Sequence, residues 1–523
     1  MPDSVRAAAA AGGDAQSTNG EAAERCAALA QQSLGALPDA PTRITGAQFV
    51  GARVAGAAHC EVRATVFPQV GLAILLPGSG WNGKLLEVGC GSYCGTIELG
   101  ACRGPLQRGY ACVASDMGHQ ADPGDTRWAA GNLPAQFDFA NRAAHVVLLA
   151  ARAIADHYYA QPIRRSYFMG CSTGGYLGMI EAQRFPWDFD GIVAGDPDMD
   201  EADLLMRSVW AWRSLHDAAG KALLSRTDLQ LLHAGALARC DMSDGVKDGI
   251  IGDPVGCPFR GAELLCQPGQ RNGCLSAAQA AAARARYEGP TTAAGRRLST
   301  RGAFPGSELS WLPDDAGAAD AIAANAGPGD LGYDLYVPSP GQQWREVDFN
   351  FERDYQRLGL GTLYNDTNPD LRRLRDAGGK LLVYQGGSDA LEMAAIYDYY
   401  DNVEKLMGGR AATQEFFRLY TVPGMGHCGG GDGADIVDYL GYLDAWVEQG
   451  KAPDALIGAH VPDEFFNAPG APSRDVLLQL PLDSHVPVSF TRPLYPYPAF
   501  ARYRGSGDAN DARNFEAVEP AQR

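Results

Sequence analysis

The sequence has no long hydrophobic run, little positive charge and no N-terminal leader pattern. No stretch reaches about 18 consecutive apolar residues, which excludes a membrane-spanning helix. Asp and Glu number 62 against 44 Lys and Arg, and the net charge of −18 disfavours binding to nucleic acid or to anionic membranes. The first twenty residues lack a basic start followed by an apolar core, so they predict a flexible tail and no signal peptide.

Cysteine, in contrast, is plentiful. Twelve cysteines, several at short spacings, predict disulfides and an oxidising compartment for this chain of 523 residues. We therefore expect a secreted or periplasmic protein whose leader has been removed; the alternative is a cytosolic protein with free thiols. The length predicts a main domain with a large insertion, or two domains. The oligomeric state does not follow from these features.

Short runs rich in Val, Ile, Leu, Phe and Tyr alternate with helical patterns, which predicts a parallel sheet with helices on its faces. The strand-like runs are Gly71–Leu76, Lys84–Val88, Tyr110–Ser115, Arg165–Met169, Gly191–Ala194, Lys380–Tyr384 and Phe416–Thr421. Helical patterns occupy Asn141–His157 and Gly175–Phe185. Residues 199–370 are irregular and hold four cysteines. We predict a lid domain there, inserted between the two parts, 41–198 and 371–523, of an α/β catalytic domain that follows a tail over 1–40.

The strongest local motif is Gly170–Gly174, which fits the pattern G-x-S-x-G. It lies between a strand-like run and a helical pattern, which is the setting of a nucleophilic serine on the strained turn of an α/β-hydrolase. The flanking glycines are required because a side chain there would collide with neighbouring elements. We predict Ser172 as the nucleophile; the alternative is a glycine-rich turn with no catalytic role.

A serine hydroxyl needs a base, and the chain has nine histidines. His427 lies within Pro423–Gly431, a glycine-rich loop directly after a strand-like run, where a loop can present the ring at a sheet edge. Asp389 follows the strand-like run Lys380–Tyr384 and comes between the serine and the histidine, as the order Ser, acid, His of this fold requires. We predict His427 as the base and Asp389 as the group that orients it.

A cysteine adjoins the predicted nucleophile, and another adjoins the predicted base. Cys171 directly precedes Ser172, and Cys428 directly follows His427. If the serine and the histidine meet, the two neighbouring thiols meet as well. A disulfide between them would lock nucleophile to base. It would also stabilise the fold by constraining the unfolded chain.

This pairing of Cys-Ser with His-Cys resembles the tannase and feruloyl esterase family. The resemblance runs from about Val88 to Phe515 and includes GCSTGG, the strand followed by Asp, PGMGHCGGG, PGSE at Pro305–Glu308 and the terminal TRPLYPYPAFARYRGSGDANDARNF. It implies an α/β-hydrolase fold with a lid, the same triad and the same bridge. The implied activity is hydrolysis of a small aromatic or phenolic ester (feruloyl, galloyl or terephthalate-like) through an acyl-enzyme.

The oxyanion hole is predicted partly from the motif and partly from the resemblance. In this fold the residue after the nucleophile supplies one backbone N–H, here that of Thr173. The second donor in the family comes from a glycine-rich loop after an early strand, which matches Gly89–Ser92. Gly91 or Cys90 is the expected donor, and the sequence does not decide between them.

Three aspartates occur in a stretch of eight residues of the predicted lid, inside the segment Cys240–Ile250. Such crowding of carboxylates suits a hard cation with oxygen ligands, and the resemblance implies a structural calcium ion. The implied ligands are the side chains of Asp241, Asp244 and Asp248 and the backbone carbonyls of Val246 and Ile250. The alternative is a solvated acidic turn.

The remaining cysteines predict further bridges. Three pairs are expected, namely Cys26–Cys60, Cys240–Cys257 and Cys266–Cys274. Four more cysteines cluster around the predicted oxyanion loop and allow three pairings, among which the sequence does not choose. They are Cys90, Cys94, Cys102 and Cys112.

The sequence departs from the family pattern at several positions. Gln385 stands where a histidine is usual, and Glu392 stands where an apolar residue is usual. Tyr495 and Ala517 occupy the places of two cysteines that are often joined in the family. No motif identifies the arginine that some relatives use to hold a substrate carboxylate; Arg345, beside Trp344 in the predicted lid, is one position for it.

Two other functions are compatible with the sequence. An acyltransferase or cyclase would use the same acyl-enzyme, with an alcohol, amine or carbon nucleophile in place of water. A non-catalytic calcium-binding protein is the third hypothesis, and the complete triad with both flanking cysteines argues against it.

Overall fold

The computed structural model divides into two compact units, Met1–Ile192 and Val193–Arg523. The described residues are 19–52, 57–217, 220–299, 302–312, 335–341, 344, 348–389, 395–468, 471, 474, 478, 481 and 485–520. Most of the stretch predicted to be a flexible tail, residues 1–18, lies outside them, as do Arg345 and Glu392. Among the helices in the described ranges, none is both long and apolar enough to cross a membrane.

The first unit is built on a mixed sheet. Its strands are β1 (Thr42–Val50), β2 (His59–Val66), β3 (Val70–Pro77), β4 (Lys84–Val88), β5 (Ala111–Ser115) and β6 (Arg165–Cys171). They lie in the order β1-β2-β3-β5-β4-β6. β1, β2, β3 and β5 pair antiparallel in succession, whereas β4 is parallel to both β5 and β6. β5 is buried at every position, as expected for a strand covered on both faces.

Helices flank this sheet, which confirms the predicted α/β class. The prediction of a parallel sheet was wrong for β1, β2, β3 and β5, which pair antiparallel. The α-helices of the unit are 19–29, Arg103–Gln107, Leu133–Phe137, Ala143–Tyr159 and Thr173–Arg184. A π-helix spans Asp138–Arg142, and 3-10 helices span Leu99–Cys102 and Arg127–Ala129. The alanine- and leucine-rich helix Ala143–Tyr159 packs on β3 and β5, so its apolar face covers the middle of the sheet.

The strands predicted from the sequence agree with the structure to within two residues at each end. The sequence analysis missed β1 and β2. β1 is exposed or half-buried over most of its length, and β2 carries the charged residues Glu61 and Arg63. Neither strand has the continuous apolar run by which the buried strands β3, β4, β5 and β6 were predicted.

The second unit contains β8 (Lys380–Gly386), β9 (Phe417–Val422), β10 (Leu456–His460), β11 (Phe490–Leu494), β12 (Phe500–Tyr503) and β13 (Phe515–Val518), and β7 (Gly191–Gly195) spans the division between the units. β8 and β9 are parallel, and β10 with β11 and β12 with β13 form antiparallel pairs. Its α-helices are Glu201–Leu215, Arg226–Cys240, Ala277–Glu288, Gly361–Tyr364, Arg372–Ala377, Ala395–Met407, Arg410–Gln414, Tyr439–Gln449 and Asp463–Phe466. Its 3-10 helices are Asp241–Asp244, Ala262–Leu264, Glu308–Ser310, Asp354–Arg357 and Ala512–Asn514.

The segment predicted to form the lid has a hydrophobic cluster of its own. Leu229 and Leu232 of the helix Arg226–Cys240 are fully buried against residues that include Phe259, Tyr287 and Trp311. All members of this cluster lie between residues 215 and 312. The domain boundaries at 199 and 370 stay a prediction.

Candidate active site

Ser172 lies on a sharp turn between β6 and the helix Thr173–Arg184 of the first unit. Its φ of 59° and ψ of −123° lie outside the regions that L-residues normally occupy. Strained residues of this kind concentrate at functional sites. The strand, turn and helix are those expected for the serine of a G-x-S-x-G motif.

Glycines allow this turn to pack tightly against a neighbouring loop. A Cβ at Gly170 would lie 2.6 Å from the backbone of Gly174, and a Cβ at Gly89 would lie 2.6 Å from the same residue. Separations this short leave no room for a side chain. The loop after β4 is therefore held against the first turn of the helix Thr173–Arg184.

The predicted oxyanion donors lie together in this first unit. Thr173 begins the helix, where backbone N–H groups have no partner within the helix, and its hydroxyl donates to the carbonyl oxygen of Ser92. The Cys90–Cys94 disulfide closes the loop that contains Gly91. The loop thus places both backbone candidates beside the serine turn, and the choice between Gly91 and Cys90 stays a prediction.

In the second unit the structure brings the predicted acid and base together. Asp389 follows β8 and is buried, and its Oδ2 accepts a hydrogen bond of 2.8 Å from Nδ1 of His427. The His427 side chain is 30% exposed, so the imidazole is only partly buried. Because a carboxylate only accepts, Nδ1 carries the hydrogen and Nε2 is the nitrogen that can take a proton.

Backbone hydrogen bonds join the turn of the acid to the loop of the base. Ser388 N donates to the carbonyl oxygen of Met425 at 2.8 Å, and Gly426 N donates to that of Gly430 at 3.1 Å. These bonds fix the glycine-rich loop on both sides of His427. The position of the ring therefore depends on this small network as well as on the Asp389 carboxylate.

The sequence analysis missed a second buried carboxylate at this site, that of Asp196. It directly follows β7 and is fully buried. Ligand atoms of Asp196, Asp389 and His427 all lie within 4.8 Å of one another. The only sequence signal was an Asp at the end of a short strand, which is a common turn residue.

Electrostatics at the acid–base pair favour a charged imidazole. Burial opposes protonation of His427, but the charges of Asp389, Asp196 and Asp198 outweigh it and raise the pKa of His427 to about 9. Burial, followed by the charge of Asp389, raises the pKa of Asp196 above its ordinary value. The site thus stabilises the imidazolium that a general base becomes after it has accepted a proton.

The predicted calcium loop is ordered by its own carboxylates. Asp241 accepts from the backbone N–H groups of residues 248 and 249, Asp244 accepts from Val246 N at 3.0 Å, and Asp248 Oδ2 pairs with Arg492 at 2.7 Å. In the part of the chain that the structure describes, the three carboxylates do not form a group whose ligand atoms all lie within 4.8 Å of one another.

The donor set of this loop nevertheless suits a hard cation. Asp241 and Asp244 are each only 5% exposed. Burial and the neighbouring carboxylates raise the pKa of Asp244 to about 7, although hydrogen bonding to Val246 N opposes the rise. A Cβ at Gly252 would lie 2.6 Å from the Asp244 carboxylate, so this glycine leaves the room that the carboxylate occupies. Crowded, buried negative charge of this kind fits calcium, whose binding stays a prediction.

The cysteines are all oxidised. Five bridges are Cys26–Cys60, Cys90–Cys94, Cys102–Cys112, Cys240–Cys257 and Cys266–Cys274. The four cysteines of the early loop thus adopt one of the three pairings that the sequence left open. Cys240–Cys257 encloses the predicted calcium loop. Cys171 and Cys428 are each disulfide-bonded as well.

Comparison with known proteins identifies the family to which the chain is similar. Residues 52–330 and 344–518 match the family model described as Tannase and feruloyl esterase. A mono(2-hydroxyethyl) terephthalate hydrolase from Piscinibacter sakaiensis is 31% identical over 535 residues, which cover 88% of this chain and 85% of that protein. A probable feruloyl esterase from Arthroderma benhamiae is 30% identical over 508 residues, which cover 88% and 86%.

The structure also resembles a solved one. The crystal structure of feruloyl esterase B from Aspergillus oryzae superposes with a TM-score of 0.78 at 25% sequence identity, over 91% of this chain and 97% of that chain. This similarity confirms the predicted α/β-hydrolase fold.

Proposed function

The chain belongs to the tannase and feruloyl esterase family and is a carboxylic ester hydrolase, and on this premise we propose that it works through an acyl-enzyme on Ser172. His427 is the general base and Asp389 orients it. The observation that carries the proposal is the Asp389–His427 hydrogen bond of 2.8 Å, which puts the proton on Nδ1 and leaves Nε2 as the acceptor. The strained backbone of Ser172 supports it from the side of the nucleophile.

The reaction proceeds in two halves. The Ser172 hydroxyl adds to the ester carbonyl while its proton moves to Nε2 of His427, and the resulting tetrahedral intermediate expels the alcohol, which takes that proton. Water then adds to the acyl-serine with His427 again accepting a proton. Collapse of the second intermediate releases the carboxylic acid and returns the proton to Ser172. Asp389 stays ionised throughout and stabilises the imidazolium.

The oxyanion of both intermediates would be bound by backbone N–H groups of the first unit. We assign one to Thr173, at the start of a helix whose positive dipole end favours the developing negative charge. The other comes from the loop closed by Cys90–Cys94, at Gly91 or Cys90. Such donors contribute most when they are fixed in advance, and the disulfide limits the motion of this loop.

Two structural features are part of the proposal. The first is a bridge between Cys171 and Cys428, supported by the oxidised state of both cysteines and by the internal pairing of the other ten. Non-reducing peptide mapping tests it, and recovery of either cysteine in another pair would contradict it. The second is a structural calcium ion in the loop enclosed by Cys240–Cys257, held by Asp241, Asp244, Asp248 and the carbonyls of Val246 and Ile250.

The proposed substrates are small esters of aromatic or phenolic acids, of the feruloyl, galloyl or terephthalate type. The names of the two relatives support this class. The six oxidised pairs favour a secreted or periplasmic enzyme, because disulfides persist in oxidising compartments. Transfer of the acyl group to an acceptor other than water would use the same intermediate. Product analysis with and without an added alcohol or amine separates transfer from hydrolysis.

The test is a panel of p-nitrophenyl, gallate, ferulate and terephthalate esters assayed with wild type and with Ser172→Ala. We expect turnover of at least one aromatic ester and a loss of about 10⁴-fold or more in the variant, because the covalent nucleophile is gone. Ser225→Ala, at an exposed helix N-cap, is the matched control and should retain activity. Activity of Ser172→Ala close to that of wild type would contradict the proposal.

A further inference from the structure

Asp196 occupies a position that links the acid and the base of the proposed triad. It is the first residue after β7, is fully buried, and has a positive φ of 36°. A non-glycine residue with positive φ is uncommon and persists where the surrounding structure imposes it. A buried carboxylate in such a conformation calls for a physical explanation, and its hydrogen bonds provide one.

Each oxygen of Asp196 binds a different element. Oδ1 accepts from Gly386 N at 2.6 Å, at the end of the strand β8 that leads to Asp389. Oδ2 accepts from Cys428 N at 2.9 Å, in the residue that follows His427. One carboxylate therefore holds the backbone that carries the acid and the backbone that carries the base.

Gln385 connects this carboxylate to the acid itself. Its Nε2 donates to Asp196 Oδ1 at 2.7 Å and to Asp389 Oδ2 at 3.3 Å. The orientation of the amide follows from chemistry, because an NH₂ group can donate to two ionised carboxylates and an amide oxygen cannot. The Asp389 oxygen that receives this bond is the one that accepts from His427.

We propose that Asp196 and Gln385 are positioning residues that fix the separation of Asp389 from His427 and place a second negative charge beside the imidazolium. The proposal rests on the proposed Ser172, His427 and Asp389 mechanism and names two residues beyond it. Asp196 acts through backbone bonds and through its charge, and Gln385 keeps the two carboxylates at a fixed distance by donating to both. Neither residue touches the substrate in this account.

The charged groups around His427 determine how the pH profile should respond. Asp389, Asp196 and Asp198 raise its pKa. The buried Arg286, on the helix Ala277–Glu288, interacts with Asp389, and Arg207, on the helix Glu201–Leu215, interacts with Asp198. Removing the charge of Asp196 alone leaves these other groups in place. Because an opposite charge this close typically shifts a pKa by one unit or more, the pKa of His427 should fall.

The test compares Asp196→Asn with wild type over a pH series. We expect kcat to fall about 100-fold from misplacement of the acid–base pair, with KM changed less than about threefold. We also expect the acidic limb of kcat/KM to move down by about one pH unit, since only neutral His427 can act as base. A merely structural role would lower the amount of folded enzyme without moving this limb.

The matched control is Asp435→Asn. Asp435 is also buried and also accepts a backbone N–H, from Gly430 at 2.8 Å, but it pairs with Arg474 and does not belong to the group of Asp196, Asp389 and His427. This variant should leave the acidic limb where it is in wild type. A shift as large as that of Asp196→Asn would overturn the proposal.

Gln385→Leu keeps the proposal falsifiable if Asp196→Asn does not fold. It removes the amide link and leaves the two backbone bonds of Asp196, so kcat should fall about tenfold with KM unchanged. Wild-type kcat with an unmoved limb in a folded Asp196→Asn, or wild-type kcat in a folded Gln385→Leu, would refute the inference while the triad stands. High activity in Ser172→Ala would instead refute the proposed function, so the two failures are distinct.

Discussion

Replacing Asp389 by Asn is the most informative single change at the acid–base pair. Its Oδ2 receives two donors, His427 Nδ1 at 2.8 Å and Gln385 Nε2 at 3.3 Å. An asparagine places its oxygen there, because its amide nitrogen would face two donors. The histidine tautomer is therefore retained, and the main loss is the negative charge.

The size of that loss follows from electrostatics. Two unit charges about 4 Å apart at an effective dielectric constant of about 20 interact by about 4 kcal/mol. On the alkaline plateau, where His427 is neutral in the free enzyme, this energy stabilises the imidazolium only as the proton is transferred, so its loss lowers kcat there by about 10³-fold and leaves KM nearly unchanged. Asp389→Ala also loses the bond that holds the ring, so it should lose more than Asp389→Asn.

The assay is steady-state hydrolysis of an aromatic ester by wild type and both variants across a pH series. The Asp389 charge raises the pKa of His427, so its removal should move the acidic limb of kcat/KM to lower pH. Asp354→Asn is the control for removing a buried carboxylate elsewhere. Asp354 pairs with Arg353 and Arg357 and does not belong to the group of Asp196, Asp389 and His427. A loss below about tenfold in Asp389→Asn, or a loss confined to KM, would refute the reasoning.

Two further predictions concern stability. Burial, followed by the charge of Asp188, raises the pKa of the fully buried Glu181 well above 4.5. Above about pH 4.5 the folded protein therefore keeps a proton that the unfolded chain releases. The free energy of unfolding should fall as the pH rises through this range. Glu181→Gln should flatten this decline between pH 5 and 8 in chemical denaturation, and an unchanged slope would contradict the assignment. Prolonged dialysis against EGTA should lower the melting temperature of wild type, because a cation bound only by the folded state stabilises it. Asp244→Asn should abolish this difference, whereas equal EGTA sensitivity of variant and wild type would place the ion elsewhere.

The sequence predicted the features that depend on neighbouring residues. The turn of Ser172 needs only a strand, two glycines and a helix, and all of these are contiguous. Asp389 and His427 lie in the loops that follow β8 and β9, so their hydrogen bond was predictable once the chain order Ser, acid, His was recognised.

The features that the sequence did not predict depend on distant partners. Asp196 binds Gln385 and Cys428, which are 189 and 232 positions away, and nothing local distinguishes it from an ordinary turn residue. The pairing Cys90–Cys94 and Cys102–Cys112 depends on how the loop after β4 folds, which spacing alone left open. Gln385 was recognised only as a departure from the family pattern, and its role became visible from its two carboxylate partners.

The central claim is that Ser172 forms a covalent acyl-enzyme. Its most direct test is inactivation with a fluorophosphonate, which forms a stable adduct with an activated serine, followed by mass measurement of the intact protein and of its peptides. We predict one adduct per chain, on the peptide that contains Ser172, at a rate that Asp389→Asn slows strongly because His427 then activates the serine less well. Complete inactivation with the adduct on any other residue, or an enzyme that stays active with Ser172 labelled, would contradict the account.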